Sequence, residues 1–153
     1  MPIRFIFSAL FITFLSGCAI SQDVQPVDST EIIQKIYVKE NPKVLMEGLL
    51  PEIVSQLNAL GFESESYSGD LPENAHHYLT FTANWQWDMA MYLTYFRTTL
   101  YNQGRVLGTA EYDAKSGGAN MNKFGKTGEK IRPLLREMLD SARRAPTASP
   151  LGK

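Results

Sequence analysis

Few side chains in this sequence are able to do chemistry, and their spacing suits it poorly. His76 and His77 are adjacent, and they are the only two histidines of the 153 residues. Neighbours in a strand point to opposite faces, so the pair cannot easily share a metal, and solvent-exposed histidines are expected instead. A single cysteine excludes disulfide frameworks and multi-cysteine metal sites. Asp88 could act as a general base, but no His or Cys is placed to work with it. An aspartate at a tight turn usually caps backbone amides. Gly125-Lys126-Thr127 has the ending of a phosphate-binding loop, yet the glycine required five residues before Gly125 is replaced by Asn120. A loop leading into a helix, with Thr127 available as its cap, is expected there. No serine stands in a G-x-S-x-G setting, and no motif positions a pair of carboxylates. We therefore expect no catalytic residue, no metal and no enzymatic activity.

The residue whose chemistry is well marked is Cys18. Residues 5–15 are apolar apart from Ser8 and Thr13, and Arg4 is the only charge before them. Eleven residues are too few for a bilayer-spanning helix, which needs about 20, and suit the apolar region of a cleaved signal peptide. Leu15-Ser16-Gly17-Cys18 then has the form of a lipobox: Leu, two small residues, Cys. The expectation is a leader at 1–17 and a diacylglyceryl thioether plus an N-acyl (palmitate-type) chain on Cys18, with no other cofactor. Ala19 in place of an Asp favours the outer membrane, with the domain facing the periplasm. Fifteen basic against sixteen acidic residues give a net charge of -1, which argues against nucleic acid as a partner.

These features need elements to hold them. Residues 18–30 are polar and contain Pro26, so they read as a flexible tether, and 145–153 reads as a disordered tail. Between them, 31–144 has the size of a single domain. A strand is predicted at 32–39, then a helix starting between Glu47 and Leu50 and ended by Gly61. A short edge strand at 62–67 follows. Three strands come next, at 78–86, 89–101 and 106–112, with turns at Trp87-Asp88 and Asn102-Gln103-Gly104. Ile131, Leu134, Leu135, Met138 and Leu139 recur at helical spacing. The order is β-α-β-β-β-β-α, an α+β fold: an antiparallel sheet with two helices packed on one face.

Turn positions suggest that Trp85 faces Ala90, Leu79 faces Phe96 and Phe96 faces Ala110. The inner face is then Leu79, Phe81, Ala83, Trp85, Tyr92, Phe96, Leu100, Val106 and Ala110, with Gly108 and Ala110 small enough for close helix approach. Met91, Leu93, Tyr95 and Leu107 fall on the outer face as an apolar stripe, a surface for an envelope protein partner. Trp85, Trp87 and Tyr92 offer an alternative, rings on which a small ligand or glycan could stack.

Trp85-Gln86-Trp87-Asp88-Met89-Ala90-Met91-Tyr92-Leu93, with Gly104-Arg105, Gly117-Gly118 and Asn122-Lys123-Phe124-Gly125, resembles a family of small proteobacterial lipoproteins, the Shewanella-type Sbal lipoproteins. The resemblance covers nearly the whole chain, lipobox included. It implies a lipid-anchored envelope location and no established activity. The expectation for function is a non-catalytic accessory or assembly factor bound to the outer membrane.

Overall fold

The computed structural model describes residues 20–114 and 121–144. Residues 1–17, read above as a leader, Cys18, Gly117-Gly118 and the 145–153 segment read as a tail lie outside them. The fold is α+β, with strands β1 (Ser21–Gln25), β2 (Ile32–Ile33) and β3 (Lys35–Lys39), helix α1 (Leu49–Ala59), β4 (Glu63–Tyr67), β5 (His77–Asp88), β6 (Ala90–Asn102) and β7 (Arg105–Asp113). A 3-10 turn (Met121–Lys123), helix α2 (Thr127–Leu139) and β8 (Arg143–Arg144) complete it. Six strands form one sheet in the order β1-β7-β6-β5-β3-β4, and β2 pairs with β8 apart from it.

The predicted sequence of elements from β3 to α2 is present, but the sheet is mixed rather than antiparallel. β3 pairs in parallel with both β4 and β5. The reason is α1, which carries the chain back to the end from which β3 began, so that β4 must run the same way. Pro51 lies in the first turn of α1, where a missing N–H costs nothing. Gly61, at φ 88°, closes the helix. Its amide donates to the Asn58 carbonyl (2.9 Å) and that of Phe62 to Leu57 (3.1 Å), the paired bonds of a Schellman end. Pro133 stands within α2, on its exposed side, and the helix runs through it.

Residues 21–25 are a correction to the tether reading. They form β1, which pairs antiparallel with β7 from Ser21–Asp113 to Gln25–Thr109. Val27 is buried, and its amide donates to the Met138 carbonyl at 2.8 Å. A polar strand of five residues carries little periodicity of its own, and the open edge of β7 supplies the order.

Both helices pack on one side of the sheet. Ile36, Val38, Leu79, Phe81, Ala83, Phe96, Leu100, Ala110 and Tyr112 meet Ile53, Leu57, Ile131, Leu134, Leu135 and Met138 in one core. At Gly108 this packing leaves no room for a side chain. A Cβ there would lie 2.9 Å from the Gln25 carbonyl, 2.9 Å from Val27 and 3.1 Å from Met138.

Candidate interaction surfaces

The side of the sheet opposite the helices carries outward-pointing residues of every long strand. Alternation places Tyr95, Arg97, Thr99 and Tyr101 outward on β6, opposite Asn84, Thr82, Thr80 and Tyr78 of β5. Tyr37 and Tyr67 hold the corresponding positions on β3 and β4. No helix among the described residues covers this side. Its side chains brace one another instead. The Tyr78 and Tyr101 rings stack at 4.9 Å and 10°, and Tyr37 meets Tyr67 edge-on at 6.4 Å. The Tyr95 hydroxyl donates to Glu111 (3.1 Å), which also pairs with Arg97 (3.6 Å). Partial burial and the Glu111 carboxylate push the Tyr95 phenol above its ordinary range. Glu65 and Glu63, at 3.0 and 3.1 Å, raise the Lys35 ammonium likewise.

The apolar stripe expected here does not form. Leu93 is only 1% exposed and belongs to the core. The β5–β6 register shifts between Asn84 and Trp85, so Asn84 faces Tyr95 while Trp85 faces Leu93. The extra residue, Thr94, reverses the alternation and turns Leu93 inward. Leu107 is half-buried against the core, beside a second irregularity at Leu100–Tyr101. That irregularity leaves Val106, expected inside, exposed. Met91 is exposed and Tyr95 half-buried, but Met91 lies on the hairpin tip rather than beside Tyr95 on the sheet.

Tyr92 is a second correction. It is buried, packing edge-on against Phe124 at 5.7 Å, with the Lys123 ammonium 5.2 Å from its ring. Trp85 is half-buried in the wall of a cleft of about 430 Å³ between the N-terminal ends of the two helices. Trp87 is exposed. The three rings expected to stack on a ligand therefore share no common surface.

β5 and β6 continue as a two-stranded hairpin beyond the last β6–β7 pair, Tyr95–Asp113. The turn lies one residue later than predicted. Asp88 faces Ala90, with Met89 at φ 61° between them. Asp88 is not a turn cap; its carboxylate accepts from the buried ammonium of Lys123, which ties the hairpin to the 3-10 turn. Lys130 donates to the Lys123 carbonyl, and burial pulls its own ammonium below the ordinary lysine range.

The opposite end of the sheet holds a polar cluster that sequence reasoning missed. Glu31 accepts from Asn102, meets His77 Nε2 at 3.1 Å and pairs with Arg105 at 3.1 Å. Burial raises the Glu31 carboxyl, but the hydrogen bonds from His77 and Asn102, with the Arg105 guanidinium nearby, outweigh it and hold the pKa below the ordinary value. His77 is thus buried, contrary to expectation, while His76 turns away to Gln103 (3.1 Å). Lys126, not Thr127, is the N-cap residue of α2, and no side chain caps it. Among the described residues no three His, Cys, Asp or Glu side chains converge as a metal would require, and no helix is long and apolar enough to cross a membrane.

No protein-family model and no curated protein matches the chain. Solved structures similar in fold include two of PelC from Paraburkholderia phytofirmans. The PelC dodecamer superimposes with a TM-score of 0.52 at 12% identity, and the dodecamer of a PelC variant with one Leu-to-Met substitution with 0.50 at 13%. Each covers 82% of this chain and 99% of the PelC chain.

Proposed function

We infer that this is a lipoprotein acylated on Cys18, held at the outer membrane facing the periplasm, and that it serves as a non-catalytic accessory to another envelope protein. The observation that carries the contact is the bare side of the six-stranded sheet, where both helices leave Tyr78, Thr80, Thr99 and Tyr101 uncovered. Aromatic and threonine side chains already braced by neighbours lose little conformational entropy on binding, which suits a contact surface. The surface is redrawn without Leu93, Leu107 and Met91. The PelC chains of similar fold are dodecamers, so a further copy of this chain is a partner the experiment must be able to report. Photocrosslinking in intact cells from Thr80 and Thr99, with Glu137 on the helix side as control, should give one dominant adduct from the sheet positions alone. Equal or absent adducts from both sides would refute the reading.

A second reading is a glycan module, for which the stacked Tyr78–Tyr101 pair is the one specific support. Fluorescence titration with envelope glycans should then fail in the Tyr101→Ala variant.

A further inference from the structure

Ser21, where β1 begins, pairs with Asp113; Asp113 pairs with Tyr95; and Tyr95 pairs with Asn84. These four residues mark one end of the sheet. From that end the β5–β6 hairpin continues for four more residues, Trp85 to Asp88, before it turns at Met89. At a strand rise of about 3.3 Å per residue the tip lies roughly 13 Å beyond the level of Ser21. Cys18 precedes Ser21 by three residues, a stretch of chain that spans about 10 Å at most. A lipid on Cys18 therefore brings the bilayer to the end of the sheet from which the hairpin projects.

That end is also where exposed apolar side chains gather. Trp87, Met89 and Met91 on the hairpin are each at least half exposed. Leu45 is exposed beside it, in a groove it shares with Trp85 and Met91. Met121 is exposed on the 3-10 turn that Lys123 ties to Asp88. The opposite end carries the charged Glu31–Arg105 cluster with His77, although Ile32 and Val106 are exposed beside it. Indole and thioether side chains on a hairpin that carries no charge beyond the paired Asp88 fit the headgroup–acyl boundary of a bilayer.

We propose that the hairpin tip, through Trp87, Met89 and Met91, inserts into the membrane interface beside the Cys18 anchor and fixes the domain upright on the bilayer. This rests on the lipoprotein reading, and it names a second contact with the same membrane. The occupant is lipid because the tether is shorter than the hairpin's reach.

The test uses the mature acylated protein, purified from membranes and reconstituted in phosphatidylethanolamine–phosphatidylglycerol vesicles. The Trp85→Phe variant leaves Trp87 as the sole tryptophan. If that variant does not fold, the difference between wild type and Trp87→Phe gives the same signal. The expected result is a blue shift of Trp87 emission and its strong quenching by lipids brominated near the headgroup end of the acyl chain. Protein that is vesicle-bound and acylated by mass, but whose Trp87 keeps a water-exposed, unquenched emission, overturns the insertion. So does a blue shift without bromine quenching that grows with protein density, since a second copy then covers the tip. A mass spectrum showing unmodified Cys18 overturns the lipoprotein reading itself, which separates the two failures.

Discussion

Replacing Gly108 with alanine should destabilise the domain by about 1–2 kcal/mol. The added methyl would lie 2.9 Å from the Gln25 carbonyl oxygen, 2.9 Å from a Val27 methyl and 3.1 Å from Met138. Relaxed carbon contacts lie at about 3.5–4.0 Å. The Met138 side chain can shift, but the Gln25 carbonyl cannot do so cheaply. Gln25 is paired to Thr109, and two residues on the Val27 amide is bonded to Met138. Overpacking of this kind costs about 1–3 kcal/mol, and the lost flexibility of the unfolded chain returns roughly 0.4–1 kcal/mol. For a domain of this size the net loss corresponds to a fall in Tm of about 4–8 °C. Thermal and urea unfolding followed by circular dichroism would measure it. Val27→Ala should relieve part of the clash, so Gly108→Ala should cost less in that background than alone. An unchanged Tm, or strict additivity of the two substitutions, would refute the packing argument.

Four further substitutions separate core, cluster and tip. Leu93→Ala should lose about 2–5 kcal/mol as a buried truncation, whereas Met91→Ser two residues away should stay within about 0.5 kcal/mol; equal effects in urea melts would mean the bulge at Thr94 is misplaced. Glu31→Gln should cost on the order of 2 kcal/mol at neutral pH. The folded pKa of Glu31 lies below its ordinary value of 4.5, so its contribution is complete above that value and is lost as pH falls through the folded one. Stability–pH curves of wild type and variant should therefore converge below about pH 4.5, and parallel curves would contradict this. Met89→Asn should be neutral or stabilising by up to about 1 kcal/mol, since asparagine tolerates the left-handed turn at φ 61° better than methionine. A clear loss on unfolding would show that the tip packs against something.

The inner face of the sheet was legible although the pairing was not. Leu79 pairs with Leu100 rather than Phe96, a slip of four, and Phe96 with Tyr112 rather than Ala110, a slip of two. Even slips keep every side chain on its face, so hydrophobic alternation still picked out Phe81, Ala83, Phe96 and Ala110. Near the hairpin tip the slip is odd. Trp85 pairs with Leu93 instead of Ala90, and Leu93 turned from stripe to core. Nothing in a single sequence announces the extra Thr94, because a bulge is a property of the pair of strands. β1 escaped notice for the same reason: SQDVQ has no pattern until β7 offers it an edge. The Glu31 cluster joins residues 46 to 74 positions apart, beyond any motif. The close approach at Gly108 was legible in part: the small residue facing a predicted helix anticipates Met138, whereas Gln25 and Val27 come from the segment read as a tether.

β1 also determines how the domain bears load. Consider a pull on the chain before Ser21 directed along the strand axis, away from the end of the sheet. The β1–β7 hydrogen bonds are then loaded together, in shear, rather than opened one after another as they would be by a sideways pull. For β1 to slide out, Val27 would have to pass the constriction it forms with Gly108 and Met138. The strand is thus a mechanical latch at the point where a tether would transmit force into the fold.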